Sequence, residues 1–428
     1  MLTLILAAVV AFALLVFAYS LFSHRLENTV ITGPMFFVAA GLILGPVGLG
    51  MLDFSSRSSL ILAIAAIALV LVLFTDAARI DLRALKGDRN LPLRLLAIGL
   101  PLTILAGAAG AMLLFTTLTL AEAALLGSIL APTDAGLGQA IVNSPRVPAR
   151  IRQALNVESG LNDGGAIPFF AMFLVLAEAT TEGLPPGTWT VFALQQIGLG
   201  LLVGALAGIA GSLLIRRSVK QGWMRDEFTW IAFLALAILS FFVADIAGGS
   251  GFIAVFVAGL VAAAVGGGVE ESVIQFSSAT GEILSFGIFF IFGLVAAGML
   301  TRITAPVLLY AVISLTLVRM VPVAISLAGT HLKPSSVAFI GWFGPRGLAS
   351  IVLILIAMDE APGIPGLPTI GIIVATTILL SVFAHGITAN PVISRYAKLV
   401  ARLPADAPER REVLEVPTRE GGPGTGRY

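Results

Sequence analysis

The chain has 428 residues, 58% of them hydrophobic and only 11% charged, with a mean hydropathy of +1.02 and a formal net charge of +1. A water-soluble domain of this size needs a charged surface that this composition cannot supply, so the chain reads as a polytopic membrane protein. It has no cysteine, which excludes disulfides, thiolate metal centres and cysteine nucleophiles.

A helix needs about 20 apolar residues to cross a bilayer. Candidate spans fall at roughly 1–22, 30–49, 58–77, 93–117, 119–142, 154–177, 190–215, 227–247, 250–266, 282–300, 304–328, 335–358 and 367–394, thirteen in all. The first is apolar from Met1 with no basic leader region, so it is expected to be a membrane helix rather than a signal peptide. The ninth is short, and "AGGSG" divides it from the eighth.

Lys and Arg in short loops stay on the cytoplasmic side. Loops after odd-numbered spans hold Arg25; Arg79, Arg83, Lys86, Arg89 and Arg94; Arg146, Arg150 and Arg152; Arg216, Arg217, Lys220 and Arg225; and Lys333. The tail adds Arg395, Lys398, Arg402, Arg410, Arg411, Arg419 and Arg427, giving 21 basic residues against 2, Arg57 and Arg302, after even spans. This asymmetry puts the N-terminus outside and the C-terminus inside. Residues 402–428, rich in Pro, Gly and charge, are expected to be a disordered cytoplasmic tail. No Walker A motif is present, so ATP is not a direct energy source, and nothing suggests a nucleic-acid partner; the surrounding partner is membrane lipid.

Two spans are interrupted. The fifth contains "LAPTDAGLG", with Pro132, Thr133 and Asp134; the twelfth contains "GWFGPRGLAS", with Pro345 and Arg346 between Gly344 and Gly347. Proline removes a backbone donor, and freed carbonyls survive in a membrane only where protein or a water-filled cavity satisfies them. The breaks lie seven spans apart and so run in opposite directions. That fits two inverted repeats, spans 1–6 and 8–13, and points to the substrate site of a secondary transporter.

The deep acids are Asp134, Glu158 and Asp163, and the deep bases are Arg319 and Arg346. Each charge left alone at mid-membrane costs about 2.5–3.5 kcal/mol, so pairing is expected, with one carboxylate left over to exchange a proton for a cation. In "VESGLNDG", Glu158 and Asn162 share one helical face and Ser159 and Asp163 the neighbouring one. Ser159 and Asp163 thus offer two oxygen ligands side by side, suited to a hard cation such as sodium. Asp76, at the end of the third span, reads equally as an accessory acid near the cytoplasmic mouth or as a solvated end group. Asp245 and Glu282 read as solvated ends on the side away from the basic loops, Glu122 and Glu178 as end groups, and His385 as a packed histidine.

"APTDAGLGQAIV", "RIRQALNVESGLNDGGAIPF", "GWFGPRGLASIVL" and "SVFAHGITANP" resemble the monovalent cation:proton antiporter superfamily, in the sodium/proton exchanger branch that includes the prokaryotic NhaP-type antiporters. The resemblance covers essentially the whole membrane region in motif order. It implies an all-α fold of about thirteen transmembrane helices over residues 1–401, with two unwound helices crossing at the ion site. A core of spans 4–6 and 11–13 and a dimer domain of spans 1–3 and 7–10 are implied, in a homodimer in a prokaryotic inner membrane. By the same resemblance Asp163 binds the cation and the proton, Asn162 is its neighbour, and Ser159 and the Thr133 region add ligands. Asp76 falls near a family acid that can reach the ion. Glu158 is expected to pair with Arg346, and Asp134 with Arg319. The implied activity is electroneutral exchange of Na⁺ or Li⁺, alternatively K⁺, for H⁺, with no cofactor and no enzymatic chemistry. A passive channel would not need a protonatable carboxylate. An intramembrane aspartyl protease would need a second catalytic aspartate in a Gly-x-Gly-Asp setting, and an anion transporter built on the two arginines is at odds with the excess acid.

Overall fold

Every described regular element is helical, as expected where no water is at hand and the backbone must satisfy itself within each segment. The computed structural model describes residues 2–26, 29–52, 59–80, 90–183, 186–266 and 271–413. The basic residues Arg57, Arg83, Lys86, Arg89, Arg419 and Arg427 lie outside the described residues.

In chain order the helices are α1 (Leu2–Leu26), α2 (Gly33–Leu44), α3 (Ser59–Ala78), α4 (Asn90–Leu114), α5 (Leu120–Ile129), α6 (Gln139–Val142), α7 (Ala149–Glu182) and α8 (Pro186–Lys220). They continue with α9 (Asp226–Ile246), α10 (Gly251–Gly266), α11 (Glu271–Ala297), α12 (Ala305–Ser326, interrupted at Thr316), α13 (Pro334–Trp342), α14 (Leu348–Glu360) and α15 (Leu367–Val400). Each expected span contains a helix, and spans 5 and 12 are split into α5/α6 and α13/α14. Eight of the described helices are long and apolar enough to cross a membrane alone, and several others are shorter apolar helices of 10–17 residues. Between α9 and α10 the chain turns at Gly248, whose φ of 80° is the left-handed value glycine tolerates.

Two groups of helices pack among themselves. In one, α2 lies on α11, α10 on α3 and α8, and α9 on α8 and α10; in the other, α5 lies between α4 and α7, and α12 lies on α15. The two halves of each split helix belong to the second group or its border.

Both outer half-helices begin on a buried glutamate. Thr119 and Glu122 form a capping box on α5, and the Glu122 carboxylate also accepts from the backbone N–H of Gly366 (2.7 Å), just before α15. Glu122 is 2% exposed, so it is a structural cap and not the solvated end group its sequence position suggests. On α13 the corresponding group comes from the tail. Glu409, fully buried, accepts from Lys333 N–H (2.7 Å) and Ser336 Oγ (2.9 Å). Arg150 donates to the carbonyl of Pro408 (2.7 Å), and Arg410 to that of Val400 (2.8 Å). The expectation of a disordered tail from residue 402 is therefore corrected over 402–413, because capping α13 needs a carboxylate that the local sequence lacks. Residues 414–428 lie outside the described residues.

Candidate functional site

The two breaks meet. Residues 131–138 and 343–347 are non-helical, and Asp134 N–H donates to the carbonyl of Pro345 at 2.8 Å. A helix that stops inside the membrane leaves carbonyls at its C-terminus and N–H groups at its N-terminus, with partial charges of about −0.5 and +0.5. Each break supplies the countercharge for the other. Arg346 from the second break donates through Nη1 to the carbonyls of Ala131 and Pro132, just past the end of α5, and Ser350 Oγ donates to Ile129 O (2.7 Å). Asp134 from the first break accepts from Leu348 N–H at the start of α14 (2.7 Å) and from Gly136 N–H (2.7 Å). Hydrogen bonds that carry a charge are the strong ones, so these two residues fix the crossing.

This arrangement corrects the expected ion pairs. Glu158 pairs with Arg319, not Arg346, in a bidentate contact at 2.5 and 2.8 Å with both side chains buried. Asp134 takes backbone amides instead of Arg319. The physical reason is that a half-helix end carries enough charge to engage an ionised side chain, and counting side chains alone omits it.

Two glycines make the approach possible. A Cβ on Gly347 would stand 2.1 Å from Asp134 Oδ2, and one on Gly344 would stand 2.3 Å from Arg319 Nε. Gly347→Ala is expected to displace Asp134 from the start of α14 and cost about 1–3 kcal/mol of stability, the range for overpacking a filled interior. Thermal unfolding of the detergent-solubilised variant checks this, and an unchanged melting temperature would show that the cap is dispensable.

α7 brings the remaining groups to the crossing. Ser159 Oγ lies 3.1 Å from Thr133 Oγ1, and Asn162 Nδ2 donates to the same Thr133 oxygen. Asp163 is 5% exposed on the Ser159 face. Asn162 Oδ1 is buried, and no hydrogen-bond donor among the described residues reaches it. Glu158 stands outside this cluster, held by Arg319. Two hydroxyls and an amide thus meet at Thr133, and the Asp163 carboxylate follows on the Ser159 face; their oxygens are of the hard type suited to an alkali cation. Among the described residues no group of three or more His, Cys, Asp or Glu is gathered for a metal ion.

Asp76 is buried beside this cluster and is not a solvated end. Its Cβ lies 4.0 Å from where a Cβ on Gly160 would be, and Arg79 Nη1 is 3.8 Å from its carboxylate. Asp76, Arg79, Asp134, Gln139, Glu282 and Ser285 line one cavity. Glu282 thus shares a mouth with Asp76, on the side opposite to the one expected for it, whereas Asp245 is exposed as expected. The error is one of parity: Glu282 follows the ninth span, an odd loop. His385 is packed, with Nε2 against Trp342 O (2.9 Å) and Nδ1 near Ser381, whose Oγ accepts from Arg346 N–H (2.7 Å). Ser350 and Ser381 escape a reading of the sequence, because each is a single hydroxyl inside an otherwise apolar run.

Residues 10–395 match the family described as sodium/hydrogen exchanger, transmembrane. A K(+)/H(+) antiporter NhaP of Alkalimonas amylolytica is 28% identical over 400 residues, which cover 89% of this chain and 66% of that protein. A K(+)/H(+) antiporter NhaP2 of Shewanella sp. (strain ANA-3) is 25% identical over 387 residues, covering 89% and 65%. The chain spans slightly less than two thirds of the length of these relatives. In three dimensions it is similar to the sodium proton antiporter MjNhaP1 from Methanocaldococcus jannaschii, with a TM-score of 0.73 at 23% identity over 94% of this chain and 99% of that one.

Proposed function

The chain belongs to the sodium/hydrogen exchanger family, and we propose that it exchanges a monovalent cation, Na⁺ or Li⁺, for a proton at Asp163. The observation that carries this reading is at the crossing: Ser159 on α7 meets Thr133 of the first break, Asn162 donates to the same hydroxyl, and the buried Asp163 follows Asn162 on the Ser159 face. Deprotonated Asp163 binds the cation with Ser159, Thr133 and the Asn162 amide oxygen as further ligands, and Asp76 lies on the approach. Protonation expels the cation, because a low-dielectric pocket does not hold both charges.

Charge neutrality supports a one-for-one exchange. The deep groups Asp134, Glu158, Asp163, Arg319 and Arg346 sum to −1, and either a bound cation or a proton brings that sum to zero. The core of spans 4–6 and 11–13 then moves against the dimer domain of spans 1–3 and 7–10, so the site opens to each side in turn. In this reading the protein is a homodimer in a prokaryotic plasma membrane, with its N-terminus outside, its C-terminus inside and lipid as its only solvent at mid-depth. The relatives named as K(+)/H(+) antiporters favour a second reading in which the cation is K⁺.

The test is a pH dye trapped in proteoliposomes, with Na⁺, Li⁺ and K⁺ added in turn. Dequenching by at least one of them is expected, with a rate that falls at low pH, where protons outcompete the cation, and again at high pH, where none remain to exchange. No membrane current should accompany the exchange. A flux of cations that leaves the dye unchanged would identify a channel instead, and a robust current would contradict neutrality.

A further inference from the structure

Asp163 is followed by Gly164, and a Cβ on Gly164 would stand 2.1–2.4 Å from atoms of the Phe256 ring. The ring therefore lies in a notch on α7 that only glycine leaves, one residue from the carboxylate. Phe256 belongs to α10, which is clamped to the first group of helices. A Cβ on Gly259 would meet Phe74 O of α3 at 2.6 Å, and Cβ atoms on Gly204 and Gly208 of α8 would meet the backbone oxygens of Ala254 and Ala258 at 2.4 and 2.8 Å. Small-residue contacts of this kind hold membrane helices together at close range. Phe256 is thus a knob projecting from one body into the helix that carries the site.

One turn earlier on the same face of α7 stands Gly160. Its surroundings are open: a Cβ there would lie 4.0 Å from Asp76 Cβ, with nothing closer. α7 therefore presents two notches one turn apart, one filled and one open, with Asp163 beside the filled one.

We propose that Phe256 is a detent that makes the movement of α7 a single helical step, from Phe256 seated against Gly164 to Phe256 seated against Gly160. This rests on the exchanger reading and its topology. α7 there runs from the cytoplasm outward, so bringing residue 160 to the place of 164 moves the helix about 6 Å toward the outside. In the present arrangement Asp163 lies about 1.5 Å to the cytoplasmic side of the level of Gly164. After the step it lies about 4.5 Å beyond the ring on the outer side. Asp76, level with Gly160, stays on the cytoplasmic side throughout. The ring is then a fixed barrier past which the carboxylate passes, and the step is discrete because packed interfaces move between seats and do not deform continuously. Phe256 touches neither ion; it is a positioning residue.

The absence of cysteine allows a direct test. Two double variants, Gly164→Cys with Phe256→Cys and Gly160→Cys with Phe256→Cys, are placed in proteoliposomes and treated with a thiol-oxidising catalyst. Both pairs are expected to cross-link, the second gaining as an imposed cation or pH gradient drives turnover, and each cross-link should stop exchange until it is reduced. A third variant, Gly160→Leu, fills only the open notch. It should retain Na⁺ binding and thermal stability yet exchange about tenfold or more slowly, and adding Phe256→Ala should restore the rate. Failure of the 160–256 pair to cross-link during turnover while the 164–256 pair does so, or wild-type exchange by Gly160→Leu, would overturn the detent. Cross-linking of both pairs in a protein that exchanges no cation would leave the step standing and remove the exchanger reading.

Discussion

Asp163→Asn is expected to abolish cation-dependent proton movement in proteoliposomes, to the level of empty vesicles. The substitution keeps the shape of the side chain and one oxygen, so the crossing, the Glu158–Arg319 pair and the caps on α5 and α13 have no reason to change. What it removes is the group that, in the proposed exchange, alternates between a proton and a cation. An amide cannot take up the proton, and without the negative charge the deep groups sum to zero before any cation arrives, so binding would leave a net positive charge in a low-dielectric pocket. Stabilisation of the solubilised protein by Na⁺ or Li⁺, which follows from any ligand that binds only the folded state, should disappear in the same variant. Exchange at a rate near wild type by Asp163→Asn would move the chemistry to another residue, with Asp76 next in line.

The second large effect concerns the pair at Glu158 and Arg319. Both are buried and joined by two charge-assisted hydrogen bonds. Removing one partner leaves the other charged in the interior, at a cost of about 3–5 kcal/mol. Glu158→Gln and Arg319→Met are each expected to lower the thermal stability of the detergent-solubilised protein severely. The double variant should be more stable than either single one, because it leaves no orphan charge. The same cycle run between Glu158 and Arg346 should give a smaller coupling, since Arg346 is held by the carbonyls of Ala131 and Pro132. Coupling read from such cycles reports contact between the two side chains. A stronger coupling of Glu158 to Arg346 than to Arg319 would restore the pairing that the resemblance implies and contradict the geometry.

The helical intervals are legible in the sequence because a bilayer demands long apolar runs, and the two breaks are legible because Pro, Gly and charge interrupt such runs only for cause. The crossing residues Thr133, Asp134, Arg346 and the face of α7 carrying Ser159 and Asp163 are found by the same logic. Pair partners are not. Which arginine meets Glu158 depends on where two half-helix ends point, and a half-helix end has charge without being a residue. Glu409 is hidden for a different reason: its segment has the composition of a solvated tail, and only the unmet donors at the start of α13, more than 70 residues earlier in the chain, explain why it is buried. Phe256 is one of 26 phenylalanines, and nothing local distinguishes it from its neighbours until Gly164 is seen opposite.

The central claim is that one carboxylate holds either a proton or a cation, never both. Calorimetric titration of the solubilised protein with Na⁺ or Li⁺, repeated in buffers of different ionisation enthalpy, counts the protons released per cation bound. Release is expected to approach one proton per cation at the pH values where Asp163 starts protonated and to fall toward zero where it starts ionised, with binding lost in Asp163→Asn. Tight cation binding that releases no proton at any pH, and is no weaker in acid, would contradict the account.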